Sequence, residues 1–485
     1  MASRLLPFPP FEPDKANYNQ TATDASLNVL PAADGWKPMP QLVVFSDALP
    51  APCVGAVFHK DSTGSTTVFA ATESNIYQLS GTSWTEVSKS TDAYSVPSGE
   101  RVSFLVFGNY VFVNNLGTTP QKFLIGSDSA FSDNTNMPQA RYMWAAGDFV
   151  VCGYLTGSGE PNSIYWSGIN DGTFWTVGER GCDKQEIPSG GEIMGGIGDQ
   201  RGAVVLLRDR MVYMQFAPES GYTFTIAPAN DARGVIAPLS IAQIGPGDFV
   251  YYSEDGFFRG VQGQPIGAER VDDWFQDQAD LSYIEDMRGI VDPFEKIVWF
   301  KYRKTDGTTA LLGWDWQLNR WCQSDQTLQE AAVLATAAVT WATLDSIVAD
   351  WSAATDLPWD SRILTSGRPT FAAFNTDDKL CFFSGSPQAA TIETSDVELT
   401  QNRRSWVNAG RLIGDVMTFT AQVGTSEYHG GTVTWKSAVS PSSRSALIPF
   451  RAAGRLHRCR INIPADETWS HVSALYIEGD EEGNA

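Results

Sequence analysis

Seven times along the chain a turn is followed by a short run of β-branched and aromatic residues. The runs are TTVFAAT from Thr66, GNYVFVN from Gly108, GDFVVCG from Gly147, GAVVLLR from Gly202, GDFVYYS from Gly247, EKIVWFK from Glu295 and DKLCFFS from Asp378. Their starts lie 42, 39, 55, 45, 48 and 83 positions apart. Such runs are strands, because branched and aromatic side chains fit a pleated, half-buried surface. A period of roughly 40–50 residues is the length of one four-stranded meander, so the spacing predicts an all-β chain built as a β-propeller of about six to seven blades. Each run is then an inner strand, and the long last interval holds an insertion.

A second element recurs behind several runs. IYQLSGTSW (76–84), IYWSGINDGTFW (164–175) and GWDWQLNRW (313–321) each pair an aromatic strand with a returning tryptophan. Gly81, Gly172 and Asn319 stand where a hairpin wants φ > 0. Trp84, Trp175 and Trp321 are expected to pack between neighbouring sheets, where a large flat ring fills a wedge-shaped gap. The middle hairpin also raises glycan chemistry, since sialidase propellers carry an Asp box spaced Ser-x-Asp-x-Gly-x-Thr-Trp. Here Ser167 precedes Asp171 by four positions and Gly172 follows at once. The spacing does not fit, and the three residues read as turn chemistry.

The chain divides along its length. Residues 1–50, with PFPPFEP and LPAADGWKPMP, read as an extended N-terminal arm lying over this chain or a neighbour. Residues 51–325 hold the main blades. Within them, 268–287 breaks the β pattern: Val271, Trp274 and Phe275 have helical spacing among the acids Asp272, Asp273, Asp277, Asp280, Glu285 and Asp286. That predicts a short, solvated helix on a blade connection. Residues 326–362 read as a helical and loop insertion, with an amphipathic helix in the Ala-rich TLQEAAVLATAAVTWATLDSI. Residues 363–399 supply closing blade strands, and 400–485 a C-terminal β-sandwich-like domain.

Charge narrows the function. The net charge of -22 argues against a free-standing nucleic-acid binder, which needs clustered Lys and Arg. Residues 401–485 hold nine basic and eight acidic residues, so the first 400 carry -23. Arg403, Arg404, Arg411, Arg455, Arg458 and Arg460 form a candidate interface patch for an acidic surface. The six cysteines are far apart and read as buried free thiols of a chain made in a reducing cytosol. The opening MASRLLPFPPFEPDK lacks an apolar signal-peptide core, and AAVLATAAV (331–339) is too short to span a bilayer.

Motifs for catalysis are missing. His59, His429, His457 and His471 make no H-E-x-x-H or zinc spacing. There is no G-x-S-x-G elbow and no P-loop, and GGEIMGGIGDQRG (190–202) leads into a strand rather than a helix. Arg141, Arg208 and Arg303 lie on or beside strands, as a sialidase arginine triad would, but such arginines read first as structural ion pairs. No catalytic, cofactor-binding or metal residues are expected.

The opening LPFPPFEPDKANYNQTATDASLNVLPAADGWKPMPQL resembles the N-terminus of phage tail β-propeller proteins. Asn28, Val29, Pro31, Asp34, Gly35, Trp36 and Pro38 match their N-V-x-P…D-G-[WY]-x-P element. QPIGAERVDDWF, MRGIVDPFEKIVWFKYR, LLGWDWQLNRW and AAGRLHRCRINIPADETWSHVSALYIEGDEEG are similar to later segments of the same family. The nearest group is the packaged-DNA stabilisation proteins, tail hub or nozzle components of short-tailed phages. The resemblance implies a non-enzymatic virion protein, made in the host cytoplasm and forming a homohexameric ring as part of the head–tail connector. Its partners would be further copies of itself, portal and adaptor proteins, and tail fibres, spikes or a needle. It would touch genomic DNA transiently and without sequence preference during DNA ejection, with Asp272, Asp273, Asp277 and Asp280 as candidate acidic channel lining. The alternative is a carbohydrate-binding or glycan-hydrolysing propeller of a tail appendage.

Overall fold

The computed structural model describes the chain outside residues 1, 18–20, 62–64, 91–93, 98, 157–158, 336–368, 402 and 482–485. Among the described residues there is one α-helix, Asp272–Gln278, and the strands form nine antiparallel sheets, seven of them four-stranded. Six of the seven are simple meanders. Sheet I runs from Gly55–Lys60 to Ser83–Glu86, II from Ser103–Phe107 to Ser132–Asp133, and III from Ala140–Ala146 to Asp183–Glu186. Sheet IV runs from Ile193–Asp199 to Phe224–Asn230, V from Ala242–Gly245 to Gln264–Pro265, and VI from Arg288–Asp292 to Arg320–Ser324.

Sheet VII is assembled from two distant parts of the chain. Glu330–Leu334, Thr370–Phe374 and Lys379–Pro387 are completed by Pro40–Ala48, which pairs antiparallel with Lys379–Pro387. Phe45 of that N-terminal strand packs edge-on against Phe382 at 5.4 Å. The first strands of I and II, II and III, III and IV, V and VI, and VI and VII are neighbours, and the first strand of VII lies beside that of I. Sheets IV and V share a core containing Met194, Leu206, Phe249 and Tyr251.

This packing explains which strands were visible in the sequence. Strands covered on both faces read as continuous apolar runs, not as alternation. Gly202–Leu207 is buried throughout, and Ile297–Arg303 is buried except at Arg303. These runs are the second strands of their sheets, in an interior place of each four-stranded order. The first strands, such as SFLVF (Ser103–Phe107) and RGIVD (Arg288–Asp292), are only partly covered and more mixed, so they gave a weaker signal. DKLCFFS is the third strand of its sheet; the second is Thr370–Phe374, and 336–368 lie between that strand and the first.

The Ala-rich helix expected at 327–347 is corrected where it is described. Glu330–Leu334 is a strand paired with Thr370–Phe374, and its Ala331 and Ala332 are buried where small side chains let neighbouring sheets approach. The rest of that helix and most of the insertion lie outside the described residues.

The two remaining sheets join both ends of the chain. One places Ala2–Pro7, Gly35–Pro38 and Ser405–Gly414 around Val472–Glu481. The other runs in the order Ser26–Leu27, Ala390–Glu393, Leu456–Ile463, Thr420–Ser426, Thr434–Trp435. Val407, Leu475 and Ile477 from the first and Val423 and Ile461 from the second enter one core, which continues into sheets V to VII. The C-terminal domain is therefore not made by 400–485 alone.

The arm lies on this chain itself. Leu6, Phe8, Phe11, Leu30 and Trp36 are buried in this chain's own core, since an amphipathic segment this rich in large apolar side chains gains more by burial than by staying extended in water. The two oxygens of Asp14 accept from the Asp273 and Trp274 N–H groups at 3.0 and 2.8 Å, capping the one helix from outside. The residues that carry the family resemblance form the hairpin Val29–Ala32 and Gly35–Pro38. There Gly35 is required by close approach: a Cβ would sit 2.2 Å from the Val472 carbonyl.

Candidate functional site

The first strands of most of the seven four-stranded sheets begin beside a charge. Arg101 precedes Ser103–Phe107, Arg141 is second in Ala140–Ala146, Glu192 precedes Ile193–Asp199, and Arg288 and Glu330 open their strands. Charges of opposite sign from neighbouring strand ends pair with one another. Glu330 lies 2.7 Å from Arg288 and 3.8 Å from Arg101. Arg141 makes a two-pronged contact with Glu100 at 2.8 and 3.0 Å, and Arg208 meets Glu192 at 2.6 Å.

Glu330 is buried, and Lys301 beneath it donates to the Gln329 carbonyl. Burial alone would raise the Glu330 carboxyl, but Arg288, Lys301 and Arg101 outweigh it and hold the group below its ordinary value. Burial lowers Lys301. Tyr142 is raised, first by burial, against the opposing pull of Arg141.

Between these side chains is a cavity of about 600 Å³, with Arg101, Ser103, Arg141, Tyr142 and Arg288 in its walls. Its cover is the 3-10 segment Leu281–Asp286. Asp280 starts that segment by accepting from the Ser282 N–H at 3.2 Å. Tyr283 lies under the Arg303 guanidinium, 4.0 Å from ring to carbon. Glu285 reaches Arg141 at 3.6 Å and Arg208 at 3.5 Å. Arg141, Arg208 and Arg303, separate in the sequence, thus converge on one covering segment. Each already faces a carboxylate or an aromatic ring of the chain.

Other sequence candidates fall elsewhere. Asp272 is 5% exposed and cannot line an aqueous channel, which corrects that expectation. Its carboxylate is wedged between Gly256 and Gly267 and accepts from the Phe257 N–H at 3.2 Å. Burial pushes it up to about 7. Asp273 and Asp277 are exposed on the helix, and Asp280 is half-buried 3.8 Å from Arg303.

The C-terminal arginines do not form one free patch. Arg458 is 12% exposed and bonds Asp396 at 2.8 Å and Asp24 at 3.2 Å, and Arg460 pairs with buried Glu393 while stacking over Trp435. These two join Leu456–Ile463 to the segments around Asp24 and Ala390–Glu393. Arg403 pairs with Glu481 and Arg404 with Glu427, both at the surface; Arg455 is 4.0 Å from Glu427, and Arg411 is exposed. His457 is buried, with Nε2 2.9 Å from the Ser405 hydroxyl, and burial lowers it to about 4.

The tryptophans sit between sheets. Trp175 packs with Phe112 and Val150, Trp321 lies 5.2 Å from Phe257, and half-buried Trp84 lies 6.0 Å from Phe374. In the loop of the failed Asp box, Asp171 accepts from the Thr173 N–H at 3.0 Å. Asn170, not Gly172, carries the positive φ there; Gly172 is needed because a Cβ would lie 2.6 Å from Phe112. All six cysteines are free and buried.

Sequence reasoning missed Glu100, Arg101, Glu192, Arg288 and Glu330 as a group. The available signal was position: each lies at or just before a first strand, roughly one hairpin upstream of a visible apolar run.

Among the described residues no group of three or more His, Cys, Asp or Glu could hold a metal ion, and no helix is long and apolar enough to cross a membrane. No family model matches the chain. No curated protein matches it either. Among solved structures it is similar to the computationally designed Ika8 protein, at 11% identity over 78% of this chain and 99% of that one, TM-score 0.36. An ancestral GH74 enzyme matches at 10% identity over 75% of this chain and 38% of that one, TM-score 0.29. Hsv2p of Kluyveromyces lactis matches at 9% identity over 56% and 96%, TM-score 0.26. Likeness this low carries no argument about function.

Proposed function

We propose that the seven four-stranded sheets are the blades of a closed propeller, and that the chain is a structural protein of a phage tail, a hub or nozzle component. In this reading six copies form a ring below the portal and adaptor, which retains packaged DNA and conducts it during ejection. The observation that carries it is the closure of sheet VII by Pro40–Ala48 together with the joining of both chain ends in one two-sheet unit. A meander closed by its own N-terminal strand has few edges to pair wrongly, which suits a part loaded by the pressure of packed DNA. The net charge of -22 suits a conduit along which DNA must slide, since each basic group on the path would add a counterion-release term.

The reading is tested on particles assembled without the protein and on the purified chain. Particles should package DNA and then lose it, and the chain should not shift random-sequence duplex at physiological salt. Full genome retention without the protein, or sub-micromolar duplex binding, defeats the proposal.

A further inference from the structure

The covered cavity offers chemistry that the tail-ring reading does not use. Its walls supply Arg101, Arg141 and Arg288 against Glu100, while the cover supplies Glu285 and Asp286. With Glu330 pairing Arg288 and Arg101, and Glu100 pairing Arg141, lifting the cover would leave three arginines facing two carboxylates, one positive charge in excess. One wall residue also keeps a buried donor without a hydrogen-bond partner, the Tyr142 hydroxyl, while the Arg101 Nε–H faces Glu330 at 3.8 Å. A buried donor left unpaired costs free energy that a ligand oxygen would recover.

The cover is anchored at its start, where the Asp280 N–H donates to the Arg303 carbonyl at 2.9 Å, and by Ile284 against the core, while its Glu285 end is looser. Within it, the Tyr283 and Met287 N–H groups bond the Asp280 and Ile284 carbonyls, so its own turns supply these bonds. Its Glu285 is 48% exposed and touches Arg141 and Arg208 only at 3.6 and 3.5 Å, looser than those arginines' bonds to Glu100 and Glu192. A carboxylate bracketed by two guanidiniums from different sheets, above a cavity of about 600 Å³, occupies the position an anionic ligand would take.

We propose that this cavity is a binding site for a small organic anion, a carboxylate or a phosphate monoester, and that Glu285 holds the ligand's place between Arg141 and Arg208. Arg208 and Arg141 grip the anionic group, Tyr142 donates to an oxygen deeper in the cavity, and the cover moves when the anion displaces Glu285. The site competes with its own side chain, so the apparent affinity is reduced by the fraction of time Glu285 is seated.

Calorimetric titration of the full chain with glucuronate, glucose 6-phosphate and neutral glucose tests this, using wild type, Glu285→Gln and Arg208→Gln, each checked for folding by its thermal melt. Arg208 is 43% exposed, which makes its variant safe to compare. At least one anion should bind, with the carboxylate and phosphate arms identifying the ligand group. Glu285→Gln should tighten it by about tenfold, and Arg208→Gln should weaken it by a similar factor. Glucose should not bind. Binding by neither anion to wild type or Glu285→Gln, equal affinity of those two proteins, or glucose binding as well as the anions, would each overturn the assignment.

Discussion

The Glu330 carboxylate meets the Arg288 guanidinium at 2.7 Å, and each residue opens the first strand of its sheet. One ion pair thus fastens the first strand of sheet VI to that of sheet VII, with Glu330 buried and Lys301 and Arg101 close by. Glu330→Gln keeps the shape and removes the charge, leaving buried cations uncompensated. It should destabilise the chain by about 3–5 kcal/mol, read as a lower urea midpoint with an unchanged slope. Because the folded-state pKa is depressed, the pair's contribution is present above the ordinary carboxylate range and is lost as pH falls through the depressed value.

Asp272 has the opposite sign. Its folded-state pKa is raised from 3.8 to about 7, mainly by burial, so the folded protein holds a proton that the unfolded chain releases. Its contribution is full below about pH 4 and declines as pH rises to about 7. Asp272→Asn should abolish that decline. The stability difference between variant and wild type should move in the variant's favour by about 4 kcal/mol between pH 4 and pH 8. Chemical denaturation of both proteins across that range checks it, and parallel pH profiles would refute the burial argument.

Removing residues 1–50 should unfold the protein. The deletion takes away the outer strand of sheet VII, the Asp14 cap on the helix and the buried Phe11 and Trp36. The truncated chain should lose its cooperative melt and be cut rapidly by protease. A truncated protein that melts cooperatively would mean the arm is an appendage after all.

How much of this was legible from the sequence depended on burial. Second strands such as Val204–Leu207 and Val298–Phe300 are covered on both faces, so their apolar runs and their period stood out. First strands begin beside charges, and nothing local in Arg288 or Glu330 announces that they meet 42 residues apart. The place of the arm was open for a related reason. Proline-rich composition predicts an extended segment but not what it lies on, and Phe11, Leu30 and Trp36 find partners in sheet VI and the C-terminal sheets through long-range contacts. The arginines of 403–460 looked like one patch because charge in sequence says nothing of pairing; Asp24, Glu393 and Asp396 come from outside that window.

That last difference is measurable. Arg455 is 58% exposed and makes one distant contact, so Arg455→Glu should change stability by no more than about 0.5 kcal/mol. Arg458→Glu places a carboxylate among Asp24, Glu393 and Asp396 and should cost about 3–5 kcal/mol. Thermal melts of the two single variants distinguish these outcomes, and equal effects would show that Arg458 is not an internal tie.

Single-particle imaging of the purified chain and of intact particles tests the central claim most directly. The account predicts seven four-stranded blades around one axis in each subunit, with Pro40–Ala48 as the outer strand of the last blade. It further predicts six subunits in a ring on the tail axis below the head. An open arc of sheets, a different blade number, or density for this chain only on a peripheral appendage would contradict it.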